Sequence, residues 1–142
     1  YTSKQASDKL IAITQNCFCS LVTESKFHSS MPNFSEKTLR AIISGRPFVL
    51  LAPQGTLQLL KDLGFKTFNQ FWDESYDSET DHIIRFLKIA QEIRKISNWS
   101  QETLDQFAKD VRPILEFNRE HLKNMKDIEV DQFVEKYGVE GQ

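Results

Sequence analysis

The chain has 142 residues, which is enough for one domain with a sizeable hydrophobic core and too few to require a second. Hydrophobic residues make up 39% of the sequence and charged residues 27%, a composition that excludes an intrinsically disordered chain. The formal net charge of −2 excludes an overall positive field that would attract nucleic acid or an anionic membrane, so nucleic acid is not an expected partner of this segment.

The ends of the chain and its cysteines bear on its compartment. No apolar stretch approaches the length that crosses a bilayer, and the N-terminus lacks the pattern of a signal peptide, so we predict a cytoplasmic protein without a membrane partner. Cys17 and Cys19 lie in a predicted strand, where a disulfide between them would strain the backbone, and are predicted to be reduced packing residues. The three histidines are scattered singly, so no metal site is predicted. The chain begins with Tyr1, which suggests a processed chain or a fragment of a longer one.

The first predicted elements are a short helix, a strand and a long loop. Ser7 is placed to cap a helix over residues 9–13, and residues 17–22 have the composition of a strand. A polar loop of roughly ten residues, which contains Pro32, follows up to residue 33, and its length makes it of functional interest.

The fold is organised around residues 34–53, FSEKTLRAIISGRPFVLLAP, which predict a capped helix, a tight turn and a buried strand in succession. Ser35 stands at the N-cap position, and Gly45 ends the helix. Residues 48–52 form a continuous apolar run, typical of a strand covered on both faces. The predicted apolar stripe of the helix consists of Leu39, Ile42 and Ile43.

This succession is half of a parallel βαβ unit. Ligands of open parallel sheets bind beyond the carboxyl ends of the strands. The rule selects residues 23–24, the loop that ends at Ser35, and residues 53–55 as the place where a ligand would bind.

The next segment predicts a short helix over residues 56–63, ended by Gly64. Residues 65–68 form a short aromatic segment with an alternating side-chain pattern, which suits a third strand at the edge of the sheet.

An acidic, turn-rich segment then covers residues 72–81. Its carboxylates suit a cation, but the spacing lacks the glycine and the closing glutamate of an EF-hand. We therefore favour capping of the following helix by Ser78 or Asp77.

The sequence pattern of the C-terminal half predicts helices. Residues 81–97 repeat apolar residues at intervals of three and four, namely Ile83, Phe86, Leu87, Ala90 and Ile93. Ser100 opens a further helix, in which Pro113 is expected to produce a kink or a division near Arg112. The predicted inner side of that helix carries Leu104, Phe107, Val111 and Leu115. Residues 119–126 and 130–137 continue in helical character.

The predicted fold class is therefore α/β, with a small parallel Rossmann-like sheet of two or three strands and helices, followed by a helical C-terminal region. Residues 1–97 would form the Rossmann-like portion, and residues 98–142 a helical extension packed on the same core.

Three short stretches carry a resemblance to a known family: FCSLVTE at residues 18–24, FSEKTLR at 34–40 and GRPFVL at 45–50. They resemble the donor-binding half of fucosyltransferase-like glycosyltransferases of the two-domain GT-B fold. Two later stretches, LGFKTF at residues 63–68 and WDESYD at 72–77, resemble a branch of this group found in uncharacterised, often phage-encoded, proteins. The resemblance covers roughly residues 16–96.

This resemblance implies a nucleotide-sugar as donor substrate, with no further cofactor and no metal. Glu36 would accept hydrogen bonds from the ribose hydroxyls, and Lys37 would supply charge for the diphosphate. Glu24 would lie beside the sugar or a phosphate. The backbone amides near Ser35 add an anion site at the start of the helix. Arg40, one turn further on, is placed by its spacing to support the phosphates.

The resemblance also implies what else the reaction requires. In that family an N-terminal half binds the acceptor, and that half is not recognised in this sequence. The Rossmann-like portion would also be incomplete at its N-terminal side, because two or three strands are predicted where the family implies about five or six. A preceding domain or another chain would supply the missing half, and the catalytic residues are not identified. This chain alone is not expected to be active. The alternative, from a different class, is a non-catalytic helical α/β interaction or structural module that retains the fold.

Overall fold

The computed structural model describes residues 18–125. The predicted elements at residues 9–13 and 130–137 lie outside that range, as do Ser7 and Cys17. The described part is an α/β structure, which confirms the predicted fold class. Its strands are β1 (Ser20–Thr23) and β2 (Phe48–Leu51). Its helices are α1 (Glu36–Ile43), α2 (Thr56–Asp62), α3 (His82–Ser97) and α4 (Gln101–Asn124), with a 3-10 helix at Ser75–Ser78. Within the same range, no helix is both long enough and apolar enough to cross a membrane.

The sheet of the described part consists of β1 and β2, which pair in parallel with Ser20 opposite Phe48 and Thr23 opposite Leu51. Helix α1 lies between the two strands in the chain, as the βαβ prediction requires. The first three residues of β2 are buried, which confirms the prediction of a strand covered on both faces. Cys19 carries a free thiol, and burial raises its pKa to about 12.

Residues 65–68 do not form the third strand that their alternation suggested. The backbone of Lys66 is paired with a side chain instead: the N–H donates to Oδ1 of Asn118, and the C=O accepts from Nδ2 of Asn118, both at 2.8 Å. Because the Asn118 amide satisfies both backbone groups, Lys66 needs no neighbouring strand.

Helix α1 has the predicted ends. The Ser35 hydroxyl accepts a hydrogen bond from the N–H of Lys37 at 3.2 Å. At the other end Gly45 has a φ of +64°, and its N–H donates to Ile42, while the N–H of Arg46 donates to Ala41. These two bonds form a Schellman motif, which ends the helix and turns the chain towards β2.

The buried face of α1 differs from the predicted stripe. Ile43 is 46% exposed, whereas Thr38, Ala41 and Ile42 are buried. The helix packs against β1 and α4. Because of these contacts, the buried face is shifted by one residue towards the N-terminus relative to the stripe that apolar periodicity predicted.

The acidic segment caps helices, as predicted, but with different assignments. The N-cap of α3 is Asp81, whose Oδ1 accepts from the N–H groups of Ile83 and Ile84 at 2.9 and 3.0 Å, so the prediction of Ser78 or Asp77 was wrong. Asp77 lies instead at the start of α2. Its carboxylate accepts from the N–H groups of the helix residues 57 and 58, which lie 20 and 19 positions earlier in the chain.

Helix α3 buries a face that the apolar repeat did not indicate. Ile83, Phe86 and Leu87 are exposed, and the buried residues are Arg85, Ile89, Glu92 and Ile96. The two buried charges bond to loops: Arg85 donates to two backbone carbonyls, and Glu92 accepts from the N–H of Asp73 at 2.9 Å. These polar contacts fix the rotation of the helix.

Helix α4 is continuous from Gln101 to Asn124, so the predicted division near Arg112 was wrong. Pro113 is exposed, and buried residues lie on both sides of it, at Val111 and Asn118. Proline removes one helical hydrogen bond, and packing of the flanking turns keeps the helix continuous. Phe107 and Val111 lie in the core, as predicted for the inner side.

Candidate functional site

The three segments that the parallel-sheet rule selected meet beyond the carboxyl ends of the strands. The Ser35 hydroxyl donates to Oε1 of Glu24 at 2.8 Å. The Thr56 hydroxyl accepts from the N–H of Asn33 at 3.2 Å and donates to the C=O of Pro53 at 2.6 Å. The two anchors tie both ends of the long loop to this edge of the sheet.

Glu24 is directed at the start of α1. It is 8% exposed, and its two carboxylate oxygens accept from the hydroxyl and the backbone N–H of Ser35. Burial raises the pKa of this carboxyl, and the hydrogen bonds from Ser35 oppose that shift. The negative charge also faces the positive end of the helix. Glu24 therefore acts on the helix start through Ser35.

Several backbone amides near Ser35 already have partners within the chain. The N–H of Ser35 donates to Glu24, that of Lys37 to the Ser35 hydroxyl, and that of Thr38 to the Ser35 carbonyl. The amides that we predicted for an anion site thus serve to close the first turn of α1.

Two of the predicted cations line a groove between α1 and β1. Lys37 and Arg40 lie one turn apart on α1 and border a cavity of about 200 Å³ together with Ala41 and the residues Ser20–Thr23 of β1. Both side chains are half-buried, and neither makes an ion pair with a residue in the described range. The groove thus holds two positive charges that form no ion pair within residues 18–125.

The strand side of the groove also offers backbone groups. The N–H of Ser20 donates to the carbonyl of Pro47, directly before β2, and that of Glu24 donates to the carbonyl of Leu51 in β2. In a parallel ladder, alternate residues bond to the same neighbour, so the amides of Leu21 and Thr23 point to the other edge of β1. Between residues 18 and 125 no strand pairs with that edge.

Glu36 occupies a third environment. It lies in the first turn of α1, is exposed, and does not border the groove. The five predicted donor-binding residues therefore separate: Glu24 and Ser35 form the cap of the helix, Lys37 and Arg40 line the groove, and Glu36 lies on the surface beside Lys37.

Arg85 is a residue near this site that sequence reasoning missed. Its Nη2 donates to the carbonyl of Phe27 at 2.5 Å, its Nη1 donates to that of Glu79 at 3.1 Å, and its guanidinium stacks on the Phe27 ring at 4.2 Å. Arg85 thereby holds the long loop against α3. The available signal was a single arginine inside the apolar sequence IIRFL.

The acidic side chains of the described residues do not assemble a metal centre. No group of three or more His, Cys, Asp or Glu is placed to hold an ion anywhere in residues 18–125. In the acidic segment, the carboxylates of Asp73, Asp77 and Asp81 accept hydrogen bonds from nearby backbone N–H groups.

The raised pKa of Glu24 predicts how stability depends on pH. Between the ordinary value of 4.5 and the raised folded value, the folded state holds a proton that the unfolded state has lost. The stabilising contribution of Glu24 to the free energy of unfolding is therefore full below pH 4.5 and falls as pH rises through its folded pKa. In Glu24→Gln this dependence is absent, so wild type should lose stability relative to the variant between pH 4.5 and neutral pH, as measured by urea unfolding at each pH.

The matched control for this experiment is Glu36→Gln, which neutralises an exposed carboxylate in the first turn of the same helix. A constant difference in free energy of unfolding between wild type and Glu24→Gln across this pH range would contradict the prediction.

Comparison of the chain with protein-family models, with curated proteins and with solved structures found no match in any of the three searches. Proposals about function therefore depend on the sequence patterns and on the geometry of the groove.

Proposed function

We propose that this chain is the nucleotide-sugar-binding C-terminal portion of a cytoplasmic glycosyltransferase that transfers a sugar to a hydroxyl acceptor. The observation that carries the proposal is the groove that Lys37 and Arg40, free of ion pairs within the described residues, share with the edge of β1 that no strand of residues 18–125 pairs with. Two cations one helical turn apart suit the two phosphates of a nucleoside diphosphate.

In this proposal the five residues have different roles. Lys37 and Arg40 bind the diphosphate, and Glu36 accepts hydrogen bonds from the ribose hydroxyls of a donor that extends out of the groove. Glu24 and Ser35 are positioning residues, because their hydrogen bonds to each other fix the first turn from which Glu36 and Lys37 project.

The chemical step would be glycosyl transfer. The bond between the anomeric carbon and the diphosphate oxygen breaks, and a bond forms between that carbon and the acceptor oxygen. Negative charge develops on the leaving diphosphate, where Lys37 and Arg40 stabilise it. The hydroxyl proton of the acceptor passes to a base outside the described residues, in an acceptor-binding domain on the same or another chain.

The test is calorimetric titration of the chain with UDP, GDP and pyrophosphate at low ionic strength. We expect a nucleoside diphosphate to bind, and Lys37→Ala and Arg40→Ala each to weaken binding by about 10- to 100-fold, because each removes a charge-assisted hydrogen bond of roughly 1.5–3 kcal/mol. Glu36→Ala should weaken binding of the nucleotide but not of pyrophosphate, which has no ribose.

Lys61→Ala, which removes an exposed lysine on α2 outside the groove, is the matched control and should leave binding unchanged. If neither UDP nor GDP binds, the proposal is overturned and the non-catalytic interaction module is favoured. Binding that is insensitive to both groove variants would exclude this groove as the site.

A further inference from the structure

A second pocket lies at the amino ends of the strands and contains three arginines. Its lining includes Phe18, which precedes β1, and Arg46 with Pro47, which precede β2. Helix α4 contributes Arg112 and Arg119, and the cavity measures about 320 Å³. The start of α1, with Ser35 and Glu24, is at the other end of the sheet, so this pocket is distinct from the candidate donor site.

The local structure explains why the arginines converge. The Schellman motif at the end of α1 places Arg46 directly after Gly45. Arg112 and Arg119 are seven residues apart, about two turns, and so project from one side of α4. The guanidinium of Arg119 lies against Gly45, where a Cβ atom would overlap with Nη2.

These arginines have no partner for their charge in the described structure. None of the three makes an ion pair with a residue in the range 18–125. The Nε atoms of Arg46 and Arg119 are buried without a hydrogen-bond acceptor. Buried donors without an acceptor are costly, and an anion in the pocket would offset the positive charge that the three guanidinium groups bring together.

The charge of the pocket matches a dianion. Glu116 also lines it, so the three arginines and this carboxylate leave a net charge of +2. A phosphate monoester carries about −1.5 to −2 at pH 7 and has three terminal oxygens that suit the paired N–H groups of guanidinium.

The rest of the lining is apolar. Phe18 and Phe107 form one wall, with their ring centroids 5.2 Å apart, and Pro47, Val111 and Leu115 contribute further apolar surface. Such a wall has no favourable contact to offer a bare inorganic ion, but it suits an apolar or aromatic body attached to the phosphate.

We propose that this pocket binds a small organic phosphate monoester, with the phosphate among Arg46, Arg112 and Arg119 and the organic body against Phe18 and Phe107. The proposal is independent of the nucleotide-sugar function, because it uses none of the residues of the groove.

The test is calorimetric titration of the full chain with phenyl phosphate and with inorganic phosphate at low ionic strength. We expect phenyl phosphate to bind more tightly than inorganic phosphate. Arg46→Gln, Arg112→Gln and Arg119→Gln should each weaken binding of phenyl phosphate at least tenfold. Arg112→Lys, which keeps the charge but not the planar pair of donors, should retain part of the affinity.

Two controls separate the pocket from other anion sites. Arg94→Gln removes an exposed arginine on α3 outside the pocket and should leave binding of phenyl phosphate unchanged, and Lys37→Ala measures separately any phosphate bound by the groove. Circular dichroism and melting temperature verify the folding of each variant, and Arg112 is exposed, so its variants are the least disruptive.

Three results would overturn the proposal. The first is absence of phenyl phosphate binding to wild type at millimolar concentration. The second is equal affinity for phenyl and inorganic phosphate, which would indicate a general anion site. The third is unchanged affinity in folded Arg112→Gln.

Discussion

Replacing Phe107 with alanine is expected to lower the free energy of unfolding by about 3–5 kcal/mol, the range for truncation of a buried aromatic side chain. Phe107 is 4% exposed and lies at the centre of an aromatic cluster. Its ring centroid is 5.2 Å from that of Phe18, 4.8 Å from Phe71, 5.7 Å from Trp72 and 5.2 Å from Trp99. Truncation would remove contacts to four rings from three parts of the chain and leave a cavity between them.

Equilibrium unfolding in urea, followed by circular dichroism and by tryptophan fluorescence, measures this change. Phe117→Ala, at a 40% exposed position on the same helix, is the matched control and should cost much less. A loss for Phe107→Ala no larger than that for Phe117→Ala would show that the aromatic cluster does not hold α4 to the sheet.

Replacing Asn118 with alanine is expected to cost about 2–3 kcal/mol. Asn118 is 2% exposed, and its amide bonds to both backbone groups of Lys66, 52 positions earlier in the chain. Alanine would leave the N–H and the C=O of Lys66 without these partners, and the desolvation cost of such groups exceeds the value of the bonds themselves.

Two measurements distinguish this effect from a general loss of packing. Urea unfolding gives the change in stability, and hydrogen exchange of the Lys66 amide should become much faster in Asn118→Ala. The control is Asn124→Ala, at an exposed position at the end of the same helix, which should change neither quantity appreciably. A protected Lys66 amide in folded Asn118→Ala would contradict the assigned role of Asn118.

The prediction that residues 65–68 could add a strand was wrong for the same reason that makes Asn118 important. The alternation of side chains indicates that a segment could fit into a sheet, but it does not indicate which acceptor its backbone N–H groups bind. The Asn118 side chain reaches Lys66 only because α4 packs on the core, and nothing close in sequence to Lys66 indicates this.

The candidate sites show a similar division. The cap at Ser35 and the cations Lys37 and Arg40 could be identified from a short stretch of sequence. The engagement of Glu24 with Ser35 could not, because the long loop lies between the two residues. The arginine pocket was missed because Arg46 and Arg119 are far apart in the chain and each is unremarkable in its local sequence.

By itself the sequence determined where most elements begin and end, since capping serines, glycines of positive φ and apolar runs act through hydrogen bonds and sterics within a few residues. Only the tertiary structure decided which face of α3 is buried, that Asp77 caps α2, and which cations share a pocket. These depend on contacts between residues far apart in the chain, and local periodicity carries no information about such partners.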